Sequence, residues 1–558
     1  MTGVQTGSRE ADNGRLPTVA VALLFWFGAM AFVALLSQNT LKLDAVFTPD
    51  SVFYIDSARN LLKGNGLVNS MAELHGLAET DSKLPQPMTQ WAPLYPALIA
   101  GTSLFGGTEP LRALLLSTAF LFAVLLMAYF LVARLYDPWT ALVSTALLLH
   151  TPPLLLASRA AWSETTGIAL ALASLWVMCW ARDRNEGGRR AFLTAGLASG
   201  LVAGLAVTAR YALTPLAAVG LLFCLDSKSK EVTLARATGF TLGFSLLAGP
   251  VFGRNLYYSG RLGGTPWGSG GAEIFEGLGR LPQALMAMAL PEHFLARATY
   301  LILIATLVGV AGFRALRGGV AESVKRADLR GNRGLLLLWP AAYTVFLVYA
   351  QARVRIDPID ARLILPASIV LFALLVASAL RFLTDRRSVL APVAFLVLAA
   401  AIHSEASAYS LTRGLSKLVP IHDFNTKRVR SETLDWLNEN RGENALLVVE
   451  RGIDYPLYLG TTHVAFFSKL RTPGKALDYN TLKRFLTAGN RCAAYGKILL
   501  VIPARGHDVF ERSEESGQFV ADLAGANLAA YPAIASVAQL EDGAVYEIAC
   551  EQLVDSAP

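Results

Sequence analysis

Apolar runs near the ~20 residues that cross a bilayer as one helix recur along the chain at 17–37, 110–133, 138–157, 166–182, 191–209, 212–225, 237–253, 297–316, 334–350, 363–382 and 389–409. The pattern predicts about eleven membrane-spanning helices. A further apolar stretch, Ala92 to Phe105, begins Ala-Pro-Leu-Tyr-Pro and is shorter than an ordinary crossing. It reads as a juxtamembrane or re-entrant helix. From about Thr426 the long runs stop, and short apolar strands at Ala445–Val449, Val464–Phe467, Lys497–Ile502 and Ala544–Ile548 alternate with amphipathic stretches. That alternation predicts a small soluble α/β domain. Ser431 ahead of Leu434 and Leu437, with Gly442 closing, predicts a capped helix within it. The expected organisation is therefore an α-helical polytopic membrane protein in three parts: a tail over 1–16, a membrane domain over 17–410 with a large loop at 38–109, and an α/β domain over 411–558.

Composition agrees with this class: 54% of the 558 residues are hydrophobic and 16% charged, where soluble proteins carry about 25% charge. The net charge of +7 does not call for a nucleic-acid partner, because the basic residues cluster between apolar runs. Arg182–Arg190, Lys228–Arg236, Arg314–Arg333 and Arg381–Arg387 fall on one side of the predicted spans. By the positive-inside rule that side is the cytoplasm. The amino terminus then shares it, and 38–109, 158–165, 254–296, 351–362 and the tail from about 410 lie outside. Counting Ala92–Phe105 as a crossing would invert every later loop. The run Val19–Leu36 lacks a convincing small-residue cleavage site and reads as a retained span, with a cleaved signal as the alternative.

Candidate chemistry concentrates in the predicted external segments. Residues from Asp50 to Gly64 form a short amphipathic helix, with Asp56, Arg59, Asn60 and Lys63 on a solvated polar face and Tyr54, Ala58, Leu61 and Leu62 on an apolar one. Asp50, at the helix start, is a helix cap, a catalytic carboxylate, or both, and the cap is the simpler reading. In the short second loop, Arg159 and Glu164 form a helix-locking ion pair. Alternatively, Glu164 joins Asp50 around one acceptor hydroxyl or a divalent cation. Arg210 with Tyr211, Arg254 with Asn255, Arg353, Arg355 and Arg362 recur at external span ends. Singly such residues snorkel to the interface, whereas together they favour an anionic ligand such as a lipid phosphate. Cys179 and Cys224 fall in spans. Cys492 and Cys550 flank predicted strands in an oxidising compartment, and a disulfide between them is expected. The tail carries no metal-ligand cluster, phosphate loop or nucleophile motif.

An ordered set of motifs resembles the GT-C glycosyltransferases, in particular the family 39 branch that contains protein O-mannosyltransferases and the lipid A aminoarabinose transferase. The set is Asp50 with Tyr54 and a Gly64-x-Gly66 end, Trp91-Ala-Pro-Leu-Tyr-Pro, Arg159 followed five residues later by an acid, and Arg362-Leu-x-x-Pro at a late span. The resemblance implies a polyprenyl-phosphate-linked sugar as donor and an envelope glycolipid, polysaccharide or protein as acceptor. It implies Asp50 as general base or as the group orienting the acceptor, and Glu164 as the second-loop acid, where oligosaccharyltransferase relatives bind a metal. A divalent cation, Mg or Mn, at Asp50 and Glu164 is a further expectation. Tyr54, Arg159, Arg210, Tyr211, Arg254, Asn255, Arg355 and Arg362 become candidates for binding the substrate. Location in a bacterial inner membrane goes with it. Trp91-Ala92 stands where relatives have His-Pro, and Ser51 where many have a second acid. A transporter or flippase for lipid-linked sugars, or a non-catalytic polyprenyl-lipid scaffold, is the rival reading. The large asymmetric first loop and the absence of a clear internal repeat favour the enzyme.

Overall fold

Two kinds of apolar pattern, long runs and short strands, sort the chain into two compact units: Met1–Lys42, Gln90–Leu94 and Leu114–Val419 form one, and Leu43–Thr89, Tyr95–Ala113 and Pro420–Pro558 the other. The computed structural model describes residues 48–73, 84–149, 151–183, 188–225, 229–265, 274–289, 331–353, 359–384, 431–449, 458–460, 462–466, 478–487, 491–504, 518–525 and 527–555, with Gly28 alone before them. The expected spans at 17–37, 297–316 and 389–409 fall outside these residues, Gly28 apart.

In the second unit a six-stranded sheet runs in the order Met71–Glu73, His463–Phe466, Ala445–Val449, Lys497–Pro503, Gly543–Ile548, Ile534–Leu540. The first four strands are parallel and the last two pair antiparallel. Ala445–Val449 is buried at all five positions, as a central parallel strand covered on both faces should be. Leu446, Val448, Leu482, Phe485, Leu500, Phe519 and Tyr546 lie in its core. Ser431 caps the helix Glu432–Asn440 by accepting the Leu434 N–H at 3.1 Å. Cys492 and Cys550 are joined by a disulfide, while Cys179 and Cys224 are buried and free. The edge strand Met71–Glu73 comes from the first loop, so a boundary at 410 does not isolate this sheet. Leu84 of the same loop enters the core and donates its N–H to the Tyr495 hydroxyl at 3.2 Å.

Six helices among the described residues are long and apolar enough to cross a membrane: Glu109–Leu135, Glu164–Asp183, Arg189–Ala209, Lys230–Ser259, Asn332–Arg353, and Ala361–Ser378 within Ala361–Thr384. The expected span at 138–157 is instead two helices, Pro138–Leu149 and Pro152–Arg159. Pro152 and Pro153 supply no N–H and push the residue before them out of the helical region, so the break falls there. The run at 212–225 forms only Pro215–Leu225 after a 3₁₀ turn. Ala92–Phe105 contains an eight-residue helix, Leu94–Gly101, and a 3₁₀ turn. That is well short of a crossing.

Helices Arg189–Ala209 and Lys230–Ser259 touch backbone to backbone. Their seam holds Gly196, Gly200 and Gly204 on one side and Gly239 and Gly243 on the other. A Cβ at Gly196 would lie 2.2 Å from the Arg236 carbonyl oxygen, and one at Gly200 2.1 Å from that of Phe240. From the opposite helix, a Cβ at Gly239 would meet the Leu193 oxygen at 2.1 Å. Apolar side chains lose little by facing lipid, so close van der Waals approach of this kind is what holds such helices together. Gly253, on the same helix as Gly239, has nothing within 4 Å of its position for a Cβ. The same substitution is therefore expected to act oppositely at two sites. Gly200→Ala lowers the thermal unfolding temperature in detergent, with a loss of about 1–3 kcal/mol from overpacking. Gly253→Ala leaves it unchanged or raises it through helix propensity, by up to about 1 kcal/mol.

Candidate active site

The first-loop helix runs Pro49–Leu62, with Thr48 as its N-cap and Pro at N1. Thr48 donates its N–H to Ser51 Oγ at 3.1 Å, and the two hydroxyls lie 3.4 Å apart. This is the reciprocal arrangement of a capping box, with Ser51 in the place usually filled by Glu or Gln. The cap is therefore Thr48, and the simpler reading of Asp50 as cap is corrected. Asp50 is a half-buried carboxylate in the first turn, where the amino-terminal end of a helix stabilises negative charge. Tyr54, one turn on, is buried edge-to-face against Tyr95 at 5.1 Å, and Phe53 meets Phe466 at 6.3 Å.

The polar face of this helix is solvated only at its far end, where Lys63 is exposed. Asp56 is 1% exposed and Asn60 is equally buried, because residues 68–70 cover them. Asp56 Oδ2 accepts the Ser70 N–H at 2.6 Å. Asn60 Nδ2 donates to Ser70 Oγ at 2.8 Å and to the Asp56 carbonyl at 3.1 Å. Burial pushes the Asp56 carboxyl up to about 6, against the lowering pull of the Ser70 N–H, Arg59 and Lys63. Arg59 also meets Glu109 at 3.2 Å.

The first unit holds a separate cluster built from three helix ends. Glu164 opens Glu164–Asp183, Arg210 follows Arg189–Ala209, and Arg362 lies in the first turn of Ala361–Thr384. Glu164 is 2% exposed, and its Oε1 lies 2.8 Å from Arg210 Nη1 and 3.0 Å from Arg362 Nε. Neither N–H is aimed well enough at Oε1 to make a directed hydrogen bond, so the attraction is between charges. The expected Arg159–Glu164 pair does not form. Gly167, one turn into the Glu164 helix, permits the approach: a Cβ there would lie 3.1 Å from Leu213 Cδ1 and 3.3 Å from Arg210 Cβ. Arg362 stacks over Trp162 at 4.7 Å. The Tyr343 hydroxyl donates to the neighbouring Leu363 carbonyl at 2.9 Å. Tyr343 escaped the sequence reading because a phenol inside an apolar run looks like packing.

Arg159 ends its short helix 6% exposed and pairs with no carboxylate among the described residues. Tyr211 donates to Asn255 Oδ1 at 3.3 Å, while Asn255 Nδ2 donates to the Leu262 carbonyl at 3.2 Å. This pair therefore ties the turn after Arg210 to the end of Lys230–Ser259. Arg254 lies over Tyr258 at 5.6 Å, and Arg353 over Tyr349 at 5.8 Å. Arg355 is outside the described residues. A divalent cation does not fit at Glu164: two guanidiniums already face its carboxylate, and a third positive centre would be repelled. Among the described residues no group of three His, Cys, Asp or Glu side chains is placed to hold a metal.

A family model described as dolichyl-phosphate-mannose-protein mannosyltransferase matches residues 87–258, a stretch that includes Arg159, Glu164, Arg210 and Asn255. Comparison with curated proteins finds no sequence match. Among solved structures, the chain is similar to the crystal structure of ArnT from Cupriavidus metallidurans bound to undecaprenyl phosphate, with 13% identity and a TM-score of 0.57 over 94% of this chain and 97% of that one. The same protein in the apo state gives 15% identity and a TM-score of 0.51, covering 98% and 100%. Arabinofuranosyltransferase AftD from Mycobacteria gives 14% and 0.54, over 93% of this chain but 40% of AftD. At these identities the likeness is one of fold. This is a membrane protein with the GT-C glycosyltransferase fold, similar in kind to the branch its motifs resemble.

The Glu164 cluster carries a sharp expectation. Glu164→Gln leaves two partly buried guanidiniums without their counter-charge and lowers stability by about 3–5 kcal/mol. Arg362→Gln leaves the Arg210–Glu164 pair in place and lowers it less. Thermal unfolding of the purified variants in detergent ranks them.

Proposed function

We propose that this chain transfers a sugar from a polyprenyl-phosphate donor to an envelope acceptor, a glycolipid, polysaccharide or protein, at the external face of a bacterial inner membrane. The observation that carries the reading is the charge balance of the cluster in the first unit. Two arginines meet one carboxylate in that cluster, and Arg159 of the same unit is a further buried cation with no carboxylate partner among the described residues. A site with surplus buried positive charge at helix ends suits a phosphate anion, which planar guanidinium forks match well. The family model for dolichyl-phosphate-mannose users, and a fold shared with an ArnT structure that holds undecaprenyl phosphate, support the same donor class.

In this reading Asp50 takes the proton of the acceptor hydroxyl as that oxygen attacks the anomeric carbon with inversion. The bond to the lipid phosphate breaks, and the phosphate leaves as an anion whose growing charge Arg159, Arg210 and Arg362 stabilise. An ionised phosphate needs no proton from an acid in order to leave. Thr48 and Ser51 hold the helix start, with Asp50 in the first turn between them. The basic connections between spans face the cytoplasm, and the carboxy-terminal sheet lies outside.

With purified protein and a polyprenyl-phosphate sugar, Asp50→Asn is expected to lower kcat by about 10²–10⁴-fold with little change in unfolding temperature. Unchanged turnover would remove Asp50 as base. Arg159→Met is expected to raise KM for the donor by about 10-fold or more, the loss of one charge-assisted hydrogen bond. It should leave stability equal or higher, because a buried cation is removed.

A further inference from the structure

Ser70 joins the helix Pro49–Leu62 to the strand His463–Phe466 through its own polar groups. Its N–H goes to Asp56 Oδ2 at 2.6 Å, its Oγ accepts from Asn60 Nδ2 at 2.8 Å, and its carbonyl accepts the Val464 N–H at 2.9 Å. The next residue, Met71, begins the strand that pairs with Val464–Phe466. Asn65 Nδ2 donates to Asn60 Oδ1 at 3.1 Å, which fixes the Asn60 amide in the orientation that faces Ser70. All of these residues belong to the second unit.

A buried amide at position 56 would accept the Ser70 N–H equally well and carry no charge. A carboxylate stands there instead, with Oδ1 buried and without a hydrogen-bond partner. Leaving a carboxylate oxygen dry and unpaired disfavours the ionised form and favours a proton on the group. Among the described residues the charges acting on it are Arg59 of its own helix and Lys63 at that helix's end. The covering segment contributes only the uncharged Val68, Asn69 and Ser70.

We propose that Asp56 is a proton-linked positioning residue: through Ser70 it clasps the helix Pro49–Leu62 to the carboxy-terminal sheet, and the clasp tightens when the external compartment turns acid. Its importance for sugar transfer rests on the role given above to Asp50, in the first turn of the same helix. The clasp itself does not depend on that role.

The direction follows from linkage. Burial raises the Asp56 carboxyl from its usual 3.8 to about 6, so the closed form binds the proton more tightly than the open form does. The resulting stability is fully present at low pH and is lost as pH rises through about 6. Between pH 5 and pH 7.5 the closed form should weaken by roughly 10-fold in its opening equilibrium.

Hydrogen–deuterium exchange of the full chain in detergent tests this, after correction for the intrinsic pH dependence of exchange. In the wild type, protection of residues 68–73 and 463–466 is expected to be about 10-fold higher at pH 5 than at pH 7.5. Asp56→Asn, which keeps the acceptor and removes the proton site, should flatten that ratio to below about 2-fold while retaining protection. Asp56→Ala, which removes the acceptor, should lose protection at both pH values. A wild type without pH dependence, an Asp56→Asn protein that keeps it, or an Asp56→Ala protein with unchanged protection would each overturn the proposal. Exchange needs no turnover, so failure of the transferase reading leaves this result standing.

Discussion

An ionised carboxylate inside an apolar helical unit has to be met by positive charge, and Glu164 imposes that requirement on the first unit. Two other helices answer it with their ends. Lipid-facing apolar stripes alone would let Glu164–Asp183, Arg189–Ala209 and Ala361–Thr384 slide along their axes at little cost. Charges held at 2.8 and 3.0 Å do not allow that. The glycine seam between Arg189–Ala209 and Lys230–Ser259 supplies the complementary condition, because it brings two backbones close enough to fix the helix whose end carries Arg210. One arginine would have neutralised Glu164. The second adds another positive charge to the same carboxylate and draws a further helix end to it.

Much of this architecture was legible in the sequence wherever a pattern was long or strongly apolar. The spans around 110–133, 166–182, 191–209 and 334–350 coincide with helices, and four strands of the carboxy-terminal sheet lie where short apolar runs predicted them. Ile534–Leu540 escaped because only Ile534 of this edge strand is buried and the register shifts between Ser536 and Ala538, so no apolar alternation runs along it. The split of 138–157 was written in Pro152-Pro153, but a count of apolar residues outweighed the backbone chemistry of proline.

The chemistry of the first loop shows where the limit lies. Thr48 followed three residues later by Ser51 carried the signal that frees Asp50 from capping, and that signal was local. Asp56 was different. A helical wheel assigns it to the polar face correctly, yet contains nothing about the segment 68–70 that folds over that face. Glu164 repeats the lesson: its sequence neighbour Arg159 was the obvious partner, whereas its actual partners are 46 and 198 residues away. Pairings of that range depend on how helices pack, which periodicity does not encode.

The edge strand Met71–Glu73 has a bearing on how the protein is made. Its partner Val464 is 393 residues further along the chain than Met71. At the usual pace of synthesis, about 5–20 residues per second, the first loop waits on the order of tens of seconds before the strand that completes it has emerged. Through that interval its backbone donors and acceptors on that side have no sheet to join. The helix bearing Asp50 is therefore tied to the sheet only after the strand His463–Phe466 has been translated and has paired. A chain that stops before Val464 leaves the strand Met71–Glu73 without its sheet partner.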